Sequence, residues 1–308
     1  MPPSDVLVFG ESLIDLIEVK TSSGDPLPSF RAHPGGSPFN AAIALARQGV
    51  RTGFATPIST DQFGDLLLES LSQAGAHYAY PHRLSLATSL ALVHLKQGQP
   101  AYQFYRTQVA DRASDFDQLR KLPLPKWVQI GGLALAPKSD SQAWLKHIDW
   151  MTKQGVRLSF DPNVRKTFIE DQGHYREICD ALARQAHIVK LSDEDAAYIY
   201  PDKNPVDHLL KQGVTYVALT KGTQGADLAT SSDRISIPAP RLSAQGDSVG
   251  AGDTFGAALL ARVLDGITDL EALGTYAATA AALNCEQMGC TPPTKADILA
   301  RLDKPALF

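Results

Sequence analysis

The sequence is poor in cysteine and has neither a long basic run nor a long apolar run. Its three cysteines, Cys179, Cys285 and Cys290, form no CxxC or Cys/His cluster, which argues against a disulfide framework and a zinc site. A net charge of −4 without a basic stretch argues against nucleic acid or an anionic membrane as the main partner. No apolar run is long enough to cross a bilayer, and the N-terminus lacks the basic start of a signal peptide. We therefore expect a cytoplasmic protein.

Two common nucleotide-binding motifs are also missing. No GxxxxGK[ST] segment occurs, so the sequence does not support a P-loop NTPase. No GxGxxG segment follows the first apolar strand, and "GAGDTFG" has the wrong spacing and lies near the C-terminus. The sequence therefore argues against a nicotinamide-dependent dehydrogenase.

What the chain does have is an alternation of short apolar strands with helices. The predicted strands include "DVLVFG", "WVQIGG", "VRLSFD" and "HIVKLS". Such a rhythm is typical of a mostly parallel sheet covered by helices on both faces. "ATSLALVHLKQGQPAYQFYR" instead indicates a hairpin around "KQGQP", which we interpret as an insertion that stands off the main sheet.

The segment "DSVGAGDTFGAALLARVL", residues 247–264, combines two acids, a glycine-rich turn and an apolar run. If the run is helical, it is apolar nearly all round and must be buried. Gly250, Ala251 and Gly252 would form a turn whose free N–H groups can hold an anion at the positive end of the helix. Asp253 either caps this helix or has a functional role. A second acid, Asp247, lies just upstream, where a simple cap needs none.

Polar residues also follow the predicted strands, where ligands bind to parallel sheets. Those after two neighbouring strands are Asp161, Asn163 and Arg165, and Lys190, Ser192, Glu194 and Asp195. In "HPGGSPFN", Ser37 followed by Pro38 predicts a helix N-cap and first turn, with Asn40 inside it. Alone, that segment indicates an ordinary helix start.

Three segments together resemble a known family, the ribokinase-like (pfkB) sugar kinases. "DSVGAGDTF" resembles its C-terminal signature, "GGSPFNAAIALARQG" its N-terminal signature, and "TKGTQGA" its nucleotide segment. "GESLIDLIE", "GGSPFN", "QFYRTQVAD" and "KLSDED" are most similar to fructokinases, although S-x-E-E becomes "SDED" and the usual "LW" after D-x-N-x-R is absent. The resemblance implies one ribokinase-like α/β/α domain over residues 1–308. Lid strands would come from about 12–34 and 86–108.

For function, the resemblance implies an ATP-dependent kinase that phosphorylates the primary hydroxyl of D-fructose, with Mg²⁺ and a K⁺ site. 2-Keto-3-deoxygluconate, ribose or a nucleoside remain alternative acceptors. A sugar or nucleotide sensor without turnover is the alternative from another class, since fold alone does not fix function. The presence of Asp253 and of both glycines of its turn favours the enzyme.

Carried over by position, the resemblance assigns roles to individual residues. Asp253 would be the base, and Gly250, Ala251 and Gly252 the anion hole, the backbone N–H groups that hold the migrating phosphoryl group. The sugar-binding residues would be Asp15, Gly35, Gly36, Asn40, Arg106 and Arg165. The nucleotide-binding residues would be Lys190, Ser192, Thr220, Lys221, Gly222 and Gly225, with "NCEQMGCTPPT" near the adenine. Asp195 would bind Mg²⁺ through water, and Asp247 would bind K⁺ with carbonyls near Val249, Asn284 and Gly289.

The hairpin is also expected to form an interface. Its edge and its aromatic residues, Tyr102, Phe104 and Tyr105, would invite association if left exposed. We therefore predict that the lid covers the sugar and pairs with its counterpart in a homodimer.

Overall fold

The computed structural model describes residues 3–19, 28–96 and 99–304, with the backbone alone at 94–96 and 99–102. The strands are β1 (Val6–Phe9), β2 (Leu13–Val19), β3 (Ser29–Gly35), β4 (Thr52–Phe54), β5 (His77–Tyr78), β6 (Ser89–Lys96), β7 (Gln99–Tyr105), β8 (Trp127–Gly131), β9 (Arg157–Asp161), β10 (Ala186–Ser192), β11 (Tyr216–Thr220), β12 (Ala226–Ala229) and β13 (Arg234–Ile237). The α-helices are α1 (Ser37–Arg47), α2 (Gln62–Ala74), α3 (Phe116–Leu119), α4 (Lys138–Lys153), α5 (Gln172–Ala183), α6 (Asp193–Ile199), α7 (Pro205–Lys211), α8 (Ala251–Leu264), α9 (Leu270–Cys285) and α10 (Lys295–Leu302).

Nine strands form the central sheet, in the order β13-β12-β11-β10-β9-β8-β1-β4-β5. Neighbouring strands from β11 to β5 run parallel, whereas β12 is antiparallel to both β11 and β13. The prediction of a mostly parallel sheet is confirmed.

Alternating side chains of the strands supply two separate cores. In β1, Val6 and Val8 join one hydrophobic cluster, while Leu7 and Phe9 join the other. This is the period of two expected for an extended strand buried on both faces. Helices α1, α8 and α9 contribute to the first core, and α4 and α5 to the second. The domain therefore has three layers, α/β/α.

A second sheet of four strands, in the order β3-β2-β6-β7, stands beside the central one. Strand β2 pairs antiparallel with β3 and parallel with β6, and β6 pairs antiparallel with β7 as the predicted hairpin. Residues 20–27 and 97–98 of the predicted lid segments lie outside the described residues. Leu13, Ala91 and Leu133 form a small core under this sheet, with Phe104 and Phe168 packed against it.

Helix α8 is buried all round, as its apolar sequence predicts. Its residues from Asp253 to Ala261 are all buried, and it packs between α1 and α9. The helix begins after Gly250, which takes a left-handed conformation with φ of 75°. The first turn of α8 thus lies near the carboxyl ends of β9 and β10, as the contacts of Lys190 described below show. Among the described residues, no helix is long and apolar enough to span a membrane.

Candidate active site

Two cavities lie on either side of the first turn of α8. The first has a volume of about 220 Å³, and its lining residues are Glu11, Leu13, Asp15, Gly36, Ser37, Asn40, Phe104, Leu133, Arg165, Ser248, Val249, Gly250 and Asp253. The second has about 410 Å³, and its lining residues are Thr220, Gly222, Thr223, Gly225, Ala239, Pro240, Leu242, Ser248, Ala251, Gly252, Phe255, Ala278, Ala281, Ala282 and Cys285. Ser248 lines both cavities, so the two meet at the segment that leads into α8.

The carboxylate of Asp253 is held from the side by helix α1. Ser37 Oγ donates to Asp253 Oδ1 at 2.7 Å, and Asn40 Nδ2 donates to Oδ2 at 2.9 Å. Asn163 Nδ2 lies 3.5 Å from Oδ1. Asp253 is 6% exposed and lines the first cavity. Helix α8 has Gly250 at its N-cap and no side-chain cap, so the alternative that Asp253 only caps the helix is wrong.

The prediction that Ser37 caps helix α1 is wrong by one residue. The N-cap is Gly36, with φ of 106°, and no side chain caps this helix. Ser37 is therefore the first helical residue, and its hydroxyl is free to bind Asp253 across the domain. Pro38 in the first turn agrees with the prediction.

Several predicted sugar-binding residues surround the first cavity. Asp15, Gly36, Asn40 and Arg165 line it. Gly35 supports Asp15 from behind, because a Cβ at Gly35 would lie 2.3 Å from Asp15 Oδ2. Burial raises the pKa of Asp15 to about 6, and the nearby charge of Arg165 opposes this shift. The carboxylate is therefore ionised at neutral pH and can accept hydrogen bonds from hydroxyl groups.

Arg106 does not line this cavity. It is buried, and its Nη2 forms an ion pair with Asp111 Oδ2 at 2.6 Å. Its Nη1 donates to the carbonyl of Leu133 at 3.2 Å. The structure thus places Arg106 in a buried polar network beneath the small sheet, with its donors directed to the protein.

Lys190 lies directly beneath the first turn of α8. Its Nζ forms a buried ion pair with Asp161 Oδ2 at 2.9 Å. A Cβ at Gly252 would lie 2.9 Å from the same Nζ, so only glycine fits there without displacement. Burial disfavours the charged form of Lys190, but Asp161, Asp195 and Asp253 outweigh it and raise its pKa. A permanent positive charge therefore supports the predicted anion hole from behind.

Ser192 and Asp195 form a capping box at the start of α6. Ser192 Oγ accepts from the amide of Asp195, and Asp195 Oδ2 accepts from the amide of Ser192, both at 3.0 Å. Asp195 Oδ1 accepts from the amide of Val164 at 2.8 Å. Within the described residues, no group of three or more His, Cys, Asp or Glu side chains could hold a metal ion.

The predicted nucleotide residues divide between the second cavity and its rim. Thr220, Gly222 and Gly225 line the cavity. The Lys221 side chain is turned to Asp227, with Nζ 2.7 Å from Oδ2. Of the segment "NCEQMGCTPPT", Cys285 lines the cavity.

The residues predicted to bind K⁺ do come together, although their oxygens already accept hydrogen bonds. Asp247 Oδ1 accepts from the amide of Val249 at 2.9 Å, and Oδ2 accepts from the amide of Gly289 at 2.8 Å. The carbonyl of Val249 accepts from Asn284 Nδ2 at 2.7 Å. A K⁺ ion at these residues stays a prediction.

Sequence reasoning did not assign five residues to the first cavity: Glu11, Leu13, Ser37, Leu133 and Ser248. Glu11 immediately follows Gly10 after a buried strand, a strand-end position that could have marked it. Phe104 belongs to the hairpin that was predicted to cover the sugar, and it lines this cavity. It is half-buried and packs edge to face against Phe168, with ring centroids 4.5 Å apart. Leu133 carries no local signal.

Comparisons with known proteins agree with this architecture. The family model described as pfkB family carbohydrate kinase matches residues 3–297. A fructokinase of Rhizobium leguminosarum bv. trifolii is 34% identical over 260 residues, which are 83% of this chain and 78% of that protein. An uncharacterized sugar kinase from Pyrococcus horikoshii in complex with ATP has a TM-score of 0.78 at 27% identity, covering 96% of this chain and 97% of that chain.

A fructokinase from Xylella fastidiosa with bound ATP has a TM-score of 0.85 at 24% identity, covering 96% of this chain and 97% of that chain. This likeness confirms the predicted ribokinase-like fold with its small second sheet. The family model covers nearly the whole chain, including both glycine-rich helix starts. The chain therefore belongs to the pfkB family of carbohydrate kinases.

Proposed function

We propose that this carbohydrate kinase transfers the γ-phosphoryl group of ATP to the primary hydroxyl of D-fructose, giving fructose 6-phosphate. One observation carries the proposal: Asp253 and the first turn of α8 stand between a polar cavity and a largely apolar one. A sugar in the first cavity and a nucleotide in the second would meet at that turn. The ATP-bound relative from Pyrococcus horikoshii supports ATP as the donor.

In the proposed reaction, the hydroxyl oxygen forms a bond to the γ-phosphorus while the bond from that phosphorus to the ADP oxygen breaks. The hydroxyl proton passes to Asp253. Ser37 and Asn40 occupy one lone pair of each Asp253 oxygen and fix the plane of the carboxylate. The remaining lone pairs can orient the substrate hydroxyl, which is the main task of such a base in phosphoryl transfer.

The charge on the migrating phosphoryl group would be met by the first turn of α8. The first N–H groups of a helix have no partner within it and lie at the positive end of its dipole. The amide of Ala251 donates to the carbonyl of Ser248 at 3.2 Å, and it would exchange that hydrogen bond for one to the phosphoryl group. The ammonium group of Lys190, held by Asp161, adds a full charge beneath Gly252. Preorganised groups of this kind stabilise a developing charge without having to rearrange.

Mg²⁺ would enter with the phosphates of ATP and supply charge neutralisation there. Both oxygens of Asp195 already accept backbone hydrogen bonds, so the residues present do not form a direct metal site. Contact through a water molecule, using the remaining lone pairs of Asp195, is the form that fits these contacts.

Fructose is the proposed acceptor because the first relative reported above is a fructokinase. ATP consumption measured across a panel of sugars with Mg²⁺ should give the highest kcat/KM for fructose. A preference of roughly tenfold for ribose or 2-keto-3-deoxygluconate, equal to about 1.4 kcal/mol, would replace fructose and leave the kinase intact.

Asp253→Asn tests the mechanism. Asparagine keeps the shape of the side chain, and its amide can donate to Ser37 Oγ while its oxygen accepts from Asn40, but it cannot take up a proton. We expect kcat to fall by roughly 10²- to 10⁴-fold, with little change in ATP affinity or melting temperature.

Asp269→Asn is the matched control, because Asp269 is the N-cap of α9 and asparagine caps as well as aspartate. It should leave kcat unchanged. Near-wild-type turnover in Asp253→Asn would overturn the mechanism.

A homodimer through the small sheet also remains a proposal, as does a cytoplasmic location. Tyr105 on β7 is 52% exposed, which supports an interface at this sheet. The side chain of Tyr102 lies outside the described residues. Sedimentation at micromolar concentration should show a dimer, and a monomer would contradict the proposal.

A further inference from the structure

Glu11 is a buried carboxylate that the proposed reaction does not use. It is 3% exposed and lines the first cavity. Its Oε1 accepts from the amide of Ser37 at 3.2 Å, and its Oε2 accepts from the amide of Leu133 at 2.9 Å. The two amides belong to different parts of the domain, because Ser37 begins α1 and Leu133 follows β8. One carboxylate therefore joins two segments that are far apart in the chain.

The backbone of two other segments approaches Glu11 so closely that a side chain there would collide with it. A Cβ at Gly132 would lie 2.5 Å from both carboxylate oxygens of Glu11, and a Cβ at Gly36 would lie 2.7 Å from the backbone carbonyl oxygen of Glu11. Two loops thus carry glycine at the positions where they meet Glu11. This close fit fixes the carboxylate in one place.

On one side, the contacts of Glu11 lead to Asp253. Glu11 holds the amide of Ser37, and the hydroxyl of the same serine donates to Asp253 Oδ1 at 2.7 Å. A shift of Ser37 would therefore move a hydrogen bond of the proposed base.

On the other side, the contacts lead to the small sheet. The amide of Leu133 donates to Glu11, and the carbonyl of the same residue accepts from Arg106 at 3.2 Å. Arg106 directly follows β7 and pairs with Asp111, which accepts from the hydroxyl of Ser89 at the start of β6. The base of the small sheet is thus connected to the same carboxylate.

We propose that Glu11 is a positioning residue that fixes the position of Asp253 relative to the base of the small sheet. The inference rests on the proposed function, since it takes Asp253 as the base. Glu11 acts through Ser37 and Leu133 and takes no part in the chemical step. Its ionised form serves this role best, because a charged carboxylate oxygen accepts a stronger hydrogen bond from each amide than a protonated carboxyl group does.

The surroundings of Glu11 make this ionisation sensitive to pH. Burial raises the pKa of Glu11 to about 7. The charges of Arg106 and Arg165 favour the ionised form, and that of Asp111 opposes it. Asp15 and Asp253 share the cavity. The positioning should therefore weaken as the pH falls through about 7.

Glu11→Gln tests the inference, with Glu177→Gln on the exposed face of α5 as the matched control. Glutamine has one acceptor oxygen, so one of the two amides loses its partner. At pH 8 and saturating substrates, we expect kcat to fall roughly 10- to 100-fold, as for the loss of a hydrogen bond to a charged group. The KM for ATP should stay within about twofold, since the second cavity is untouched. The control should behave as the wild type.

The pH profile separates positioning from simple structural damage. Wild-type kcat should fall as the pH drops through about 7. In Glu11→Gln this decrease, the acid limb of the pH profile, should move to lower pH. Unchanged turnover, or reduced turnover with the acid limb unmoved, overturns the inference. Asp253→Asn, measured in parallel, keeps the two proposals distinguishable. If Asp253→Asn loses turnover while Glu11→Gln keeps the wild-type limb, only the role of Glu11 fails.

A second measurement uses the wild-type chain and does not depend on the folding of a variant. In ¹⁵N NMR spectra recorded from pH 5.5 to 8.5, the amide signals of Ser37 and Leu133 should titrate with a common midpoint near 7, because both donate to Glu11. Amide signals that do not titrate together would contradict the inference.

Discussion

The two cavities beside α8 are lined by different kinds of residue. The first is lined by charged side chains, among them Glu11, Asp15, Arg165 and Asp253. The second is lined, among the described residues, by small and apolar side chains with a few hydroxyls and without a charged group. A sugar presents hydroxyl groups in many directions and needs directed partners, whereas an adenine ring needs a shaped apolar slot and its phosphates need backbone N–H groups.

Under the proposed function, this difference would let one helix serve two ligands. The first turn of α8 lines the second cavity through Ala251 and Gly252, while its first acidic side chain, Asp253, lines the first cavity. Substitutions on each side should therefore affect the two substrates separately, and a substitution at the turn itself should affect catalysis.

The largest of these effects is expected for Gly252→Ala. The added methyl group would lie 2.9 Å from Lys190 Nζ and would push either the turn or the ammonium group out of place. Because the proposed anion hole depends on this arrangement, kcat should fall roughly 10- to 100-fold.

Gly256→Ala, one turn further along α8, is the control. Its methyl group would meet Lys190 Cδ at 3.8 Å, an ordinary contact, and alanine favours the helix by about 1 kcal/mol. Steady-state kinetics should show normal turnover in this variant. Equal losses in the two variants would mean that the glycines serve helix packing only.

Asp15→Asn should separate substrate binding from stability. Loss of a charged acceptor should raise the KM for the sugar roughly tenfold, with the KM for ATP unchanged. The pKa of Asp15 is raised to about 6 in the folded protein from 3.8, so the unfolded chain releases this proton first. The free energy of unfolding therefore decreases as the pH rises from 3.8 to about 6. Above that range the buried, ionised carboxylate of Asp15 destabilises the folded protein.

The same substitution should consequently raise the melting temperature at pH 7, and the gain should vanish near pH 4. Thermal unfolding at both pH values checks this. A lower melting temperature at pH 7 would show that Asp15 stabilises the fold.

Ala281→Leu should give the smallest effect and act on the nucleotide side. The larger side chain would enter the second cavity from α9, which should raise the KM for ATP about fivefold and leave the KM for the sugar unchanged. Ala272→Leu on the exposed face of the same helix is the control. An equal rise in both KM values would mean that the two cavities are not independent.

Much of the architecture follows from local patterns in the sequence. The strands "DVLVFG" and "VRLSFD" are apolar along their length because both faces of the central sheet are covered. The run after Asp253 is apolar all round because α8 lies between α1 and α9. Glycines before α1 and α8 mark turns with positive φ. The roles that the motifs imply for the individual site residues remain predictions.

Other features depended on which distant segments the fold brings together. Ser37 looks like a cap in its own segment, yet its hydroxyl bonds a carboxylate 216 residues away. Arg106 looks like a sugar ligand, yet Asp111 and the carbonyl of Leu133 take its donors. Glu11 is marked in the sequence only by its position after a buried strand, and its contacts with α1 and with the loop after β8 depend on the tertiary structure.

The sequence by itself determined the elements, their order and the layers, because hydrophobic periodicity and turn residues act over a few neighbouring positions. Only the tertiary structure decided the partners of each buried polar group. A buried donor or acceptor must be satisfied by whatever group the packing brings within about 3 Å, and that group is seldom a neighbour in the chain.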